Sequence, residues 1–130
     1  MRIMLDTNIL ISMLIFGSMD KVIDKIIENH KIVLCSYVID ELHEVIERKF
    51  PSKQETLEEF LIKLPFELIY TPKTIEKHGM FVIRDIDDEK VLYSAIMADV
   101  DILLTGDKDF SDIDIERPEI LTPGEFLEKY

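Results

Sequence analysis

The chain has one cysteine, Cys35, among its 130 residues, so no internal disulfide can form. Histidines number three, His30, His43 and His78, with no pair four apart and no cysteine close by, which excludes a zinc site of the usual spacing. The four glycines, Gly17, Gly79, Gly106 and Gly124, are isolated, so there is no glycine-rich loop to cradle a phosphate. Basic residues are scarce, 15 against 27 acids for a net charge of −12, and this excludes a nucleic-acid binder that works through a basic arm. No apolar run approaches the roughly 20 residues of a membrane helix. Arg2 is followed by only three apolar residues before Asp6, unlike a signal peptide, and the expectation is a cytoplasmic protein without a membrane partner. Repeats, linkers and low-complexity tracts are also missing, so residues 1–130 are expected to form a single domain.

What is present is apolar content of 47% with 32% charge, enough to build a core. The acid is unevenly placed. From Asp85 to Glu116, 32 residues, eleven acids face two bases, a net −9 that leaves −3 for the other 98 residues. Such a stretch is often only a solvated face, and the placement of its acids decides.

Short apolar runs alternate with helical stripes. Arg2–Leu5, Lys31–Cys35, Glu67–Tyr70, Asp101–Thr105 and Glu119–Leu121 read as strands, the first as a buried parallel strand. Helices are expected from Ser18 with Val22, Ile23, Ile26 and Ile27 on one side, and over Tyr37–Phe50, with Ser36 as N-cap. Another is expected from Ser52, whose spacing to Glu55 is that of a capping box, and one over Asp85–Asp99, with Asp85 as cap. Thr122-Pro123-Gly124-Glu125 signals a last helix, and Thr74–His78 has room for one or two turns. The alternation predicts a three-layer α/β/α sandwich around a central, mainly parallel sheet of four to five strands.

In open parallel sheets, ligands bind beyond the carboxyl ends of the strands. Asp6 and Asp107 stand at two such ends, while Glu41 and Asp88 lie on the apolar sides of their helices. Taken singly, each has a bland explanation: a turn former, a first-turn acid, an exposed glutamate. Together they are four carboxylates without an evident local cation, and hard oxygen donors of that kind suit Mg²⁺ or Mn²⁺. Such ions support in-line displacement at phosphorus. Asp85, Asp87 and Asp88 compete for the third position. Helical phase favours Asp88, seven residues before Ala95, with Asp85 better placed as the cap.

Leu5-Asp6-Thr7-Asn8-Ile9-Leu10, Ile39-Asp40-Glu41-Leu42, Asp85-Ile86-Asp87-Asp88 leading to Ala95, and Leu104-Thr105-Gly106-Asp107-Lys108-Asp109-Phe110 follow one another in an order that resembles the PIN-domain (PilT N-terminus) family. The closer likeness is to its branch of toxin components of toxin-antitoxin systems. The resemblance spans essentially the whole chain. It implies a Mg²⁺- or Mn²⁺-dependent ribonuclease, often a homodimer held by a protein antitoxin. The family's acidic quartet falls on Asp6, Glu41, Asp88 and Asp107 as catalytic residues and metal ligands. Asn8 matches its polar residue after the first acid, an amide to orient Asp6 or the scissile phosphate, or simply a helix cap. Thr105 matches the hydroxyl residue before the last acid, a phosphate donor or an ordinary strand-end threonine. RNA would need local bases such as Arg2, Arg48, Lys49 or Lys108, or a partner chain to hold it. Two other readings stand beside the nuclease. One is a non-catalytic PIN-like module that holds a basic partner on its acidic face. The other, an aspartyl phosphotransferase, is weaker, because that chemistry wants a second acid where the chain has Asn8.

Overall fold

In the computed structural model, which describes residues 1–72, 86–106, 110 and 113–130 and no side chains at 86–88, five strands form one sheet. They are β1 (Arg2–Leu5), β2 (Lys31–Cys35), β3 (Phe66–Ile69), β4 (Ile102–Leu104) and β5 (Glu119–Leu121). Their order is β3-β2-β1-β4-β5, and all four pairings are parallel. Register is fixed at the centre by Ile3 beside both Ile32 and Ile102. The inner strands are continuous apolar runs because helices cover both faces: Ile3, Met4, Leu5, Val33, Leu34, Ile102, Leu103 and Leu104 are fully buried. The edge strand β3 instead exposes Glu67 and Leu68.

The helices are α1 (Thr7–Ile11), α2 (Asp20–Asn29), α3 (Ser36–Lys49), α4 (Gln54–Lys63), α5 (Ile86–Met97) and α6 (Pro123–Lys129). α3 packs on α1, α4 and α5, while α2 packs on α6. The expected stripes are buried in part: Val22 and Ile26 in α2, Val38, Leu42 and Ile46 in α3 and Leu57 in α4 are buried, whereas Ile27 at the edge of the α2 stripe is exposed. This is the three-layer α/β/α architecture the alternation predicts, with five strands. Cys35 is a buried free thiol in β2, as its apolar setting suggests.

Several helix starts differ from expectation. α2 begins at Asp20 without a side-chain cap, not at Ser18. The Ser52–Glu55 pair forms no capping box: Pro51–Lys53 is a 3₁₀ turn, and α4 starts at Gln54. Ser36 is the first residue of α3 rather than its cap, and its hydroxyl accepts from the Thr71 N–H instead. A tertiary donor outcompetes the local one there. Only the box at Thr122 forms as read, with Thr122 and Glu125 bonded reciprocally and Pro123 at the first helical position. Asp85 and Thr74–His78 lie outside the described residues.

The sequence shows no element over residues 7–16, yet they form α1 followed by a π-helical turn, Ser12–Phe16. The run Ile9-Leu10-Ile11-Ser12-Met13-Leu14-Ile15-Phe16 has too few polar residues to display a period, so it carries no helical signature. Gly17, at φ 58°, closes the turn in a conformation that glycine takes most easily.

Candidate active site

The sheet reverses its strand order between β1 and β4. From β1 the chain proceeds outward to β2 and β3, whereas β4 leads outward to β5 on the other side. The crevice beyond the carboxyl ends of these two strands is where a fold of this kind binds ligands. Asp6 directly follows β1 there, and Thr105 directly follows β4. The strand ladder carries on past both ends, since the Asp6 N–H donates to the Leu104 carbonyl (3.1 Å) and the Thr105 N–H to Leu121 (3.0 Å).

Asp6 is only 4% exposed. Its Oδ1 accepts from the Thr7 N–H at 2.7 Å, and its Oδ2 from the Thr105 hydroxyl at 2.8 Å. A carboxylate has about four acceptor sites, and these two bonds occupy two of them while fixing its plane. The first bond also makes Asp6 the N-cap of α1, so one side chain starts a helix and faces the switch point at once. Beside it, the Thr7 hydroxyl is buried without a hydrogen-bond partner, the one such side-chain atom among the described residues. An orphaned buried hydroxyl next to a buried carboxylate is a place for water or a hydrated ion.

Glu41 projects from α3, which packs on the helix that Asp6 caps. It is half-buried, and its Oε2 accepts from the Tyr37 hydroxyl at 2.8 Å. Asp88 stands in the first turn of α5, but its side chain is outside the described residues, as is Asp107. Asn8 is exposed at the second position of α1 and makes no hydrogen bond to Asp6 among the described residues. The bond seen at Thr105 goes to Asp6. The structure therefore brings Asp6 and Thr105 together and sets Glu41 on an adjoining helix, while the Asp88 side chain and Asp107 lie outside the described residues. Among the described residues no group of three or more His, Cys, Asp or Glu converges. The donors that are described, two carboxylates with an orphaned hydroxyl, are hard oxygen ligands of the type that Mg²⁺ or Mn²⁺ takes.

The bases considered for RNA fare unequally. Arg2 is at the amino end of β1, away from the crevice, and forks onto Glu67 with two bonds of 3.0 Å. Arg48 pairs with Glu44 at 3.9 Å on the surface of α3, and Lys108 lies outside the described residues. Lys90, which the sequence did not single out, places its ammonium 5.0 Å from the centre of the Tyr37 ring. Tyr37 was missed as well, although a tyrosine four residues before a glutamate on a helix is a readable pair. A cavity of about 560 Å³ opens past β4 and β5 beside Thr105 and Gly106. Glu116, Glu119 and Glu125 line it, which disfavours a phosphate inside. Asp101, Glu119 and His30, whose protonation the fold shifts, all sit at the amino ends of strands. Those shifts belong to the scaffold.

A parallel α/β sandwich with a buried, hydroxyl-braced carboxylate at its switch point belongs to the class of open α/β domains whose ligands bind in that crevice. The chain belongs to the PIN domain family, whose pattern it matches over residues 2–109. PIN domains are typically nucleases that use divalent metal ions. The fold is also that of a chain in the crystal structure of VapBC2 from Rickettsia felis bound to a DNA fragment from their promoter. The two chains share 22% identity at a TM-score of 0.73, over 94% of this chain and 98% of that one. No curated protein sequence matches the chain. Among the described residues no helix is long and apolar enough to cross a membrane.

Proposed function

We propose that the protein is a metal-dependent endoribonuclease and the toxin of a toxin-antitoxin pair. Asp6, Glu41, Asp88 and Asp107 are its Mg²⁺ or Mn²⁺ ligands. The observation that carries this reading is the buried Asp6 carboxylate at the switch point, braced by Thr105 from the adjacent strand. Family membership supports the nuclease chemistry. When bound, such an ion lowers the pKa of a water and stabilises the leaving oxygen. The chain's own part is to hold the ligands in place. Thr105 fixes the plane of Asp6, Glu41 closes the site from α3, Asp88 completes it from α5 and Asp107 from just past β4 in the sequence. Asn8, exposed beside Asp6, is the amide that meets the RNA phosphate. A protein antitoxin and a second copy of the chain are the proposed partners, in the cytoplasm, on the strength of the toxin-type resemblance and the shared fold with a VapBC2 chain.

A single-turnover assay on a mixed RNA pool, with Mn²⁺ or with chelator, tests the reading. Cleavage is expected only with metal, and the cut ends then define the substrate. Asp88→Asn should slow it more than Asp85→Asn, because Asp88 shares the helical face of Leu92 and Ala95. No cleavage of any RNA with Mn²⁺ present would leave the acidic face as a docking surface for a basic partner.

A further inference from the structure

The least expected feature near the site is how thoroughly Tyr37 is held. Its N–H donates to the Thr71 hydroxyl at 3.1 Å, anchoring the start of α3 to the segment just after β3. The Thr71 N–H returns a 2.9 Å bond to the Ser36 hydroxyl. From α5, fully buried Ser94 places its hydroxyl 3.2 Å from Thr71 Oγ1 and 2.8 Å from the Lys90 carbonyl. The Lys90 ammonium rests against the face of the Tyr37 ring. Backbone, ring and hydroxyl of Tyr37 are thus each engaged, and the hydroxyl's bond goes to Glu41 Oε2.

A glutamate side chain has three rotatable bonds, so a half-buried one on a helix samples several rotamers unless something selects among them. Here a rigid phenol, itself fixed at two other points, donates to one oxygen and sets the orientation of the carboxylate. We infer that Tyr37 is a positioning residue for Glu41, locking its carboxylate in the orientation that binds a divalent cation. Braced through Thr71 and Ser94, it also couples α3, the helix of Glu41, to α5, the helix of Asp88. The inference rests on Glu41 being a metal ligand. It assigns that ligand's orientation to a residue outside the acidic set. Hydrogen-bond partners behind a metal ligand typically change affinity or activity 10- to 100-fold when removed. An ordinary tyrosine–glutamate pair four apart on a helix contributes little to stability, and would leave metal affinity alone.

The test is calorimetric titration of Mn²⁺ into the metal-free full chain, for wild type, Tyr37→Phe, Glu41→Gln and the double variant. Tyr37→Phe should bind Mn²⁺ about tenfold more weakly or worse, and should lower kcat on RNA without raising KM. Its melting temperature in chelator should stay close to that of wild type. In the double variant the losses should be non-additive, because without the carboxylate the phenol has nothing to orient. That cycle also reads the coupling if Tyr37→Phe proves less stable. Additive losses, or Tyr37→Phe binding as wild type does while Glu41→Gln is weakened, would overturn the positioning role and leave the metal site standing. If Glu41→Gln itself binds Mn²⁺ normally, Glu41 is not a ligand and the inference fails with that assignment.

Discussion

Asp6 does three things with one carboxylate: it ends β1, caps α1 and takes the Thr105 hydroxyl across 99 residues of sequence. The first was legible, since an acid after an apolar run reads as a strand end, while the helix it caps shows no period in the sequence. The third was not, because the partner depends on β4 lying beside β1, which strand order alone decides. Carboxylates that share a site repel one another, by about 4 kcal/mol at 4 Å and an effective dielectric of 20. Asp6→Asn removes one charge at constant volume, and the Thr105 hydroxyl can turn from donor to acceptor to keep its bond. The variant should therefore melt at or above the wild-type temperature in chelator and gain less from millimolar Mn²⁺, as read by thermal denaturation. Thr105→Val behaves in the opposite way. It removes one hydroxyl donor from the Asp6 carboxylate, and losing a hydrogen bond to a charged group should cost ~1.5–3 kcal/mol by denaturant unfolding. A neutral Thr105→Val would show that this bond does not hold the carboxylate.

At the scale of the element, strands and amphipathic helices were readable because burial imposes a period, whereas caps and the α1 segment were not. Ser36 and Ser52 each look like caps, and neither caps in the structure. A serine before a helix is only a local option that tertiary partners or a 3₁₀ turn can override. Thr122 succeeds because Pro123 and Glu125 reinforce the same start. Thr122→Ala should accordingly cost about 1 kcal/mol and lower the melting temperature by ~3 °C. Ser52→Ala should fall within ~0.5 kcal/mol of wild type. Equal losses in the two variants would contradict the assignment of caps.

Across the whole molecule, the proposed site and the paired charges lie at opposite ends of the sheet. The carboxyl ends of β1 and β4 carry Asp6 and Thr105, and the amino ends carry the paired charges. Asp101 is held below the usual carboxylate range chiefly by the Arg2 N–H, at 2.8 Å, and then by Arg117. Glu119 is lowered by Lys129, then Tyr130. Groups lowered in the native state stabilise it above their unfolded pKa, and that stability is lost as pH falls through the native value. For these two the loss comes in acid, below about pH 4. His30 acts earlier. Burial lowers its pKa most, followed by the Met1 ammonium, 3.1 Å from Nδ1, and by Lys25. The unfolded chain then binds the extra proton first, so stability should decline as pH drops below about 6.5. His30→Gln should flatten the melting temperature between pH 7 and pH 5, as thermal melts across that range would record. A slope unchanged in the variant would assign the decline to other groups.

The proposed dependence of RNA cleavage on an ion held by the Asp6 carboxylate is the step on which the nuclease reading turns. It is tested most directly by single-turnover cleavage of a mixed RNA pool in Mn²⁺, comparing wild type with Asp6→Asn of verified fold. Wild type should cleave only with metal, and the variant should show nothing above background, because losing an inner carboxylate weakens the hold on an ion that would activate water and clamp the leaving oxygen. Cleavage by Asp6→Asn at the wild-type rate would contradict that dependence.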